Sequence, residues 1–365
     1  MVWHVFAYRC LAQRFINCCF ILESTAMVNR DIIVIGTSAG GVTALMDLVG
    51  TLPPDLDASI FVVQHIMPQS QSNLPHILNR NGPLLAKHAS DGEIVEKSRI
   101  YVAPPDHHLI LEQDKILVKR GPKENRFRPS IDALFRSAAY EYGPRVIGVV
   151  LSGLLDDGTS GLWNIKRFGG AAIVQDPHDA EFPSMPSNAL EYVEVDHVVT
   201  LKDLGPLLNW LTKEEVPAKP KVTKEEATRV QLETYIASQK NAFDMGVLKL
   251  GNLTPFTCPE CNGTLIEIKE GNISRYRCHT GHGFTSEALL SGISQAIEEN
   301  IWQTIKGLEE AVMLLETMGH QLNRQGKKEE ADAFFRKSRQ TLQRSEWLHA
   351  FVTHKEDKIK QEVRK

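Results

Sequence analysis

Between Asp31 and Leu211, short apolar runs at 31–35, 58–65, 99–103, 145–152, 171–175 and 197–201 alternate with helical patterns near 41–51, 70–80, 131–142, 158–168, 186–192 and 203–212. Alternation of this kind is the signature of βαβ units, because a parallel strand needs a helix-length crossover before the next strand can pair with it. The expected fold class is therefore α/β, a doubly wound and mostly parallel sheet covered on both faces. His108-Leu-Ile-Leu-Glu112 and Lys115-Ile-Leu-Val-Lys119 flank Gln113-Asp114, which reads as an inserted β-hairpin with a two-residue turn.

The pattern then changes. Lys213 to Glu226 is charged, carries prolines and has few bulky apolar residues, as an exposed linker does. Beyond it lies a second module with three cysteines, followed by Ile293, Ile297, Ile301, Ile305, Leu308, Val312 and Leu315 at helical spacing. A further helix over about 328–352 follows the Gly326 break. A helical hairpin burying one face is the plain reading of that stripe, and a partner-binding helix is the alternative. The expected organisation is a non-native or disordered extension at 1–26, a catalytic domain at 27–212, a charged linker at 213–230, a zinc-knuckle region at 231–290 and a helical hairpin at 291–365.

With 42% hydrophobic and 24% charged residues, the 365-residue chain has the composition of a globular protein, and its net charge of -4 gives no basic field for nucleic acid or an anionic membrane. Local basic residues around Lys119 to Arg128 are candidate contact points. The first 26 residues hold Cys10, Cys18 and Cys19 in an apolar stretch that Arg9 and Arg14 interrupt, too short to span a bilayer. Translation starting at Met27 is the reading this favours, and it places the protein in the cytoplasm with Cys258, Cys261 and Cys278 reduced.

Gly36-Thr37-Ser38-Ala39-Gly40-Gly41 follows the first apolar run directly, setting a serine among small residues where a strand turns into a helix. Glycines permit the tight turn, and unpaired N–H groups at the start of the helix can hold an oxyanion, so Ser38 is the candidate nucleophile. A phosphate-binding turn is the alternative. Against it, the spacing is not G-x-G-x-x-G, and the second strand runs into Gln64-His65 where a dinucleotide fold wants an acid.

Four ordered blocks carry a resemblance: this segment; Val63-Gln64-His65-Ile66-Met67-Pro68; Arg128-Pro129-Ser130-Ile131-Asp132; and Leu151-Ser152-Gly153-Leu154-Leu155-Asp156-Asp157-Gly158. Together with Tyr101-Val-Ala-Pro-Pro105 and Met185-Pro186, they make residues 31–212 similar to the catalytic domain of the chemotaxis protein-glutamate methylesterases. The resemblance implies a serine carboxylic ester hydrolase with Ser38, His65 and Asp157 as triad, backbone amides near Ala39 and Leu154 as oxyanion hole, and no catalytic cofactor. Asp156 is a neighbouring alternative for the acid, and Leu154 stands where relatives often have Met. The implied partner is a methylated chemoreceptor or related signalling protein, with no nucleic acid and no membrane insertion; amide hydrolysis of glutamine and a non-catalytic adaptor are the alternatives. Relatives usually carry an N-terminal receiver domain, for which 30 residues before the first strand are too few, so control by another chain or constitutive activity is expected.

Cys258-Pro-Glu-Cys261 and Cys278-His279-Thr280-Gly281-His282 have the spacing of a Cys₃His zinc knuckle. Cys258, Cys261, Cys278 and His282 are the expected ligands, with His279 as the alternative fourth and a Cys258–Cys261 redox pair as the alternative chemistry. Four protein ligands leave no open position, so the zinc would be structural.

Overall fold

The structure, a computed structural model, describes residues 29–238 and 242–362, with side chains to 353; the reading of residues 1–26 lies outside them. It divides into two compact units, residues 1–122 with 127–240, and residues 123–126 with 241–365.

In the first unit the strands are β1 (Ile32–Thr37), β2 (Ser59–Gln64), β3 (Leu85–His88), β4 (Glu93–Ile94), β5 (Arg99–Val102), β6 (His108–Glu112), β7 (Lys115–Lys119), β8 (Val146–Val150), β9 (Ala171–Gln175) and β10 (His197–Val199). Its helices are α1 (Gly41–Thr51), α2 (Leu74–Asn81), α3 (Ile131–Tyr142), α4 (Thr159–Arg167), α5 (Ser184–Tyr192), α6 (Leu201–Leu211) and α7 (Lys224–Ser238). Seven strands form one parallel sheet in the order β10-β9-β8-β1-β2-β5-β3. Period-two geometry divides β1 between two cores: Ile32 and Val34 join the cluster on one face, Ile33 and Ile35 the cluster on the other. Burial on both faces is what a parallel sheet requires.

The hairpin at 108–119 forms with the expected ends, yet it does not join the parallel sheet. It pairs with β4 in a separate three-stranded sheet, β4-β7-β6. Two other differences concern the linker. Residues 224–230 are helical, and α7 as a whole belongs to the first unit rather than to a linker and a zinc region. Its buried Val230, Ile236 and Ala237 are the reason, and Arg167 grips Glu226 near its start through two hydrogen bonds of 2.9 and 2.7 Å.

In the second unit, β11 (Asn252–Thr257), β12 (Thr264–Glu270), β13 (Ile273–Cys278) and β14 (Gly283–Thr285) make an antiparallel sheet in chain order. Helices α8 (Ser286–Arg324) and α9 (Lys328–Glu362) follow and pack on each other across the turn at Gly326, whose φ is +80°. The apolar stripe of α8 is buried or half-buried except at Ile297, which is 53% exposed. No helix among the described residues is long and apolar enough to cross a membrane.

Candidate active site

The crossover from β1 leads through α1 to β2, while that from β8 leads through α4 to β9 on the opposite side. Strand order therefore reverses between β1 and β8, and the crevice at their carboxyl ends is where open α/β sheets bind ligands. Ser38 follows β1, the segment 151–158 follows β8, and His65 follows β2.

Each loop is tied down by named bonds. Ser38 N–H donates to the Ser152 carbonyl at 3.0 Å, and Thr37 Oγ1 donates to the same oxygen at 2.8 Å. Gln64 Nε2 donates to the Ser38 carbonyl at 2.7 Å and to the His65 carbonyl at 3.0 Å, fixing the two loops to each other. Ser152 Oγ donates to the Ala39 carbonyl at 2.9 Å. Gly40 has φ +74°, a conformation that costs any residue with a Cβ, and it turns the chain into α1. At Gly153 the need is space: a Cβ there would overlap Met185 Sδ and lie 2.9 Å from Ser38 Cβ. The N–H groups of Ala39 and Leu154 have no partner among the described residues.

His65 Nε2 lies 2.7 Å from Asp157 Oδ2, with both side chains almost wholly buried. An ionised carboxylate can only accept, so Nε2 carries the proton and a neutral imidazole keeps its lone pair on Nδ1. That Nδ1 is buried and has no hydrogen-bond partner among the described residues, Ser38 Oγ included. The Phe127 ring stacks on the imidazole with centroids 3.8 Å apart and planes 8° from parallel.

Asp157 also accepts from Ser130 Oγ at 3.0 Å and from the N–H groups of Ile131 and Asp132 at 2.7 and 3.2 Å. These lie at the start of α3, so the positive end of that helix holds the negative charge beside His65. The helix after Asp157 is served by another acid: Asp132 Oδ1 accepts from Gly158 and Gly161 N–H at 3.0 and 2.7 Å. Gln64, Phe127, Ser130 and Asp132 thus hold the site without standing out in the sequence as site residues; their position in the matching blocks, or beside one, is the only signal they gave.

The basic residues between Lys119 and Arg128 are largely taken by acids. Lys119 pairs with Asp91, Arg120 and Arg128 with Asp106, and Lys123 with Glu260.

In the second unit, ligand atoms of Cys258, Cys261, Cys278 and His282 all lie within 4.8 Å of one another, a cluster able to hold a metal ion. The Cys261–Cys278 sulfurs are 3.7 Å apart, and His282 Nδ1 lies 3.7 Å from Cys258 Sγ and 3.6 Å from Cys278 Sγ. A tetrahedron with metal–sulfur bonds of about 2.3 Å has edges of about 3.7 Å, so the donor set fits zinc. Two tight turns build it, closed by Cys258 N–H to the Gly263 carbonyl and by Cys278 N–H to the His282 carbonyl. Hydrogen bonding between the two sulfurs lowers the Cys278 thiol and raises that of Cys258. His279 is exposed, its ring against Gly263.

Residues 33–208 match the family model described as CheB methylesterase. The "Protein-glutamate methylesterase/protein-glutamine glutaminase 2" of Methanosarcina mazei is 36% identical over 184 residues, 48% of this chain and 50% of its own length. A Leptospira interrogans relative whose name carries the same two activities is 41% identical over 181 residues, 49% of this chain and 94% of its own. The crystal structure of the Thermotoga maritima CheB methylesterase catalytic domain is 33% identical, covering 50% of this chain and 100% of its own, with a TM-score of 0.48.

Proposed function

The chain belongs to the CheB methylesterase family, and from that membership we propose that its first unit hydrolyses glutamate γ-methyl esters on a chemoreceptor or related signalling protein, releasing methanol. The observation that carries the mechanism is the buried His65 imidazole, paired through Nε2 with Asp157 and left with an unpartnered Nδ1.

In the proposed reaction His65 Nδ1 takes the Ser38 hydroxyl proton as Oγ attacks the ester carbonyl. Catalytic hydrogen bonds are often long without substrate and tighten when it binds, so the unmade Ser38–His65 bond forms in the substrate complex. The Ala39 and Leu154 N–H groups receive the oxyanion. Collapse of the tetrahedral intermediate breaks the C–O bond to the methoxy group, which leaves as methanol with the proton from His65. Water then attacks the acyl-serine, gives its proton to Nδ1, and the glutamate carboxylate departs as Ser38 recovers its hydrogen. Asp157 steadies the imidazolium formed in each half. Relatives' names also carry protein-glutamine glutaminase activity, and an amide passes through the same oxyanion, so glutamine deamidation is the second reading.

The test is methanol release from a methylated receptor fragment. The intact protein is expected to release it and the Ser38→Ala variant to lose several orders of magnitude in rate, as triad enzymes do. Equal release by both would end the proposal; no release by the folded intact protein would favour an adaptor.

For the second unit we propose a structural zinc held by Cys258, Cys261, Cys278 and His282. Its chemistry is that of a cross-link, since four protein donors leave no position for substrate. Thr280 Oγ1, 2.9 Å from Cys278 Sγ and 3.2 Å from Cys261 Sγ, supplies a hydroxyl beside the sulfurs. Free thiols in this number suit a reducing compartment, and the cytoplasm is the proposed location.

A further inference from the structure

Gln64 ends β2 in register with Thr37, the last residue of β1, so its side chain stands beside the turn that carries Ser38. It is 7% exposed, and its carboxamide meets two backbone carbonyls through one nitrogen: Nε2 donates to Ser38 at 2.7 Å and to His65 at 3.0 Å. Two acceptors around one atom settle which end of the amide is the nitrogen, since the reversed amide would set Oε1 against two oxygens. Oε1 is then buried with no hydrogen-bond partner among the described residues. It lies 2.3 Å from the place a Cβ on residue 41 would take, so the carboxamide fits because Gly41 has none. A buried acceptor without a donor is costly, and this amide bears that cost while its nitrogen holds the two carbonyls.

The Ser38 carbonyl belongs to the same peptide group as the Ala39 N–H. That group is planar and trans, so its C=O and N–H point in opposite directions, and whatever holds the oxygen also aims the hydrogen. The carbonyl has a second donor, Gly41 N–H at 3.1 Å, but that bond lies inside the turn and moves with it. Gln64 belongs to the sheet, and its bond refers the turn to the sheet. The other N–H of the proposed oxyanion hole is held by the same logic. The Gly153 carbonyl accepts from Met185 N–H at 3.0 Å, which aims the Leu154 N–H of that peptide. At Leu154 the grip comes from backbone; at Ala39 it comes from a side chain that a substitution can remove. Ser152 Oγ holds the next peptide along, through the Ala39 carbonyl at 2.9 Å.

We propose that Gln64 is a positioning residue that aims the Ala39 N–H at the developing oxyanion while tying the Ser38 turn to the His65 loop. The consequence for catalysis rests on the esterase reading. Without the Nε2 donor, the Ser38–Ala39 peptide is free to rotate about its flanking bonds. The Ser38 hydroxyl and the His65–Asp157 pair remain, but the transition state loses an aligned donor. The oxyanion develops only in the transition state, so the loss falls on kcat rather than on KM.

The experiment uses the full chain and three variants. Gln64→Met keeps the length and donates nothing, Gln64→Glu puts an acceptor where the nitrogen stood, and Gly41→Ala leaves Gln64 in the chain but displaces its carboxamide. Two quantities are read: kcat and KM for methanol release, and the residual dipolar couplings of the Ala39 and Leu154 N–H bonds, which report the direction of each. Circular dichroism checks the fold of every sample. Gln64→Met should lower kcat about 10²-fold, the order of one lost oxyanion donor, with KM within about twofold. Its Ala39 coupling should shrink as the bond direction averages, while the Leu154 coupling stays. Gln64→Glu should lose at least as much, and Gly41→Ala should move both readouts in the same direction. An unchanged Ala39 coupling in folded Gln64→Met would overturn the aiming role, as would equal changes at Ala39 and Leu154, the mark of general loosening. A shrunken coupling with unchanged kcat would overturn the catalytic consequence. If neither Gln64 variant folds, Gly41→Ala decides by the same readouts. If the intact protein releases no methanol, the esterase reading fails by itself, and the couplings still decide whether Gln64 aims the Ala39 N–H.

Discussion

Asp157 carries two duties through one carboxylate. Its oxygens accept from His65, from Ser130 and from two N–H groups at the start of α3, so the charge that holds the imidazole also caps a helix. Asp157→Asn should therefore fail twice. An amide puts an NH₂ where one of four donors already points, costing about 1–3 kcal/mol of stability for the group left unsatisfied. It also turns the imidazole toward the wrong tautomer, and kcat should fall by about 10⁴ in a methanol-release assay, with circular dichroism confirming that the fold persists. Gly153→Ala should act by crowding: the added methyl meets Met185 and Ser38 Cβ, with an expected cost of about 1–3 kcal/mol in urea unfolding and a drop in kcat. Ser38, His65 and Asp157 stand out in the sequence as candidates because each lies in a segment that follows a strand, inside a block that matches the family. Phe127 does not, since its partner is 62 positions away by the numbering and nothing local marks an aromatic ring for stacking on a histidine. Asp132 was hidden for a related reason: its cap serves α4, not its own helix.

At the scale of elements, strands buried on both faces were readable because they form unbroken apolar runs, and the helices between them because their apolar positions repeat. Leu85–His88 was missed. It is the edge strand β3, with Leu85 51% exposed and Lys87 and His88 half-buried, and an edge strand need not be apolar on both faces. Helix α7 was concealed by charge, since only a few of its residues are buried among Lys and Glu. One of those charges is an anchor: the hydrogen bonds from Arg167 hold the Glu226 carboxyl down at about 2, from an ordinary 4.5. A depressed folded value means the bond contributes fully above about pH 4.5 and is lost as pH falls toward about 2. Both side chains are about a third exposed, so solvent keeps the contribution under about 1 kcal/mol. In urea titrations Glu226→Gln should be slightly less stable than the intact protein at neutral pH. The difference should shrink below pH 4.5 and vanish near pH 2; a difference that grew on acidification would show that the carboxyl is not held low.

Across the whole molecule, the two units differ in what holds them. The first has large apolar clusters on both faces of its sheet. The second builds its sheet on Leu265, Phe284, Ala288 and Leu289 packed with Cys258 and Cys278, so two of the four donors are themselves core residues. That cluster is small, so the turns around it are expected to depend on the metal. Removing the metal should then act on one unit first. Calorimetry of the full chain should show a transition that a strong chelator abolishes and another that it leaves near its original temperature, because binding free energy is folding free energy for the unit that holds the ion. One zinc per chain should be released, and Cys258, Cys261 and Cys278 should become reactive to a thiol reagent together rather than one at a time. If the chelated protein kept all its transitions and its cysteines stayed protected, the second unit would be standing on its apolar core alone, and the four donors would be neighbours without being ligands.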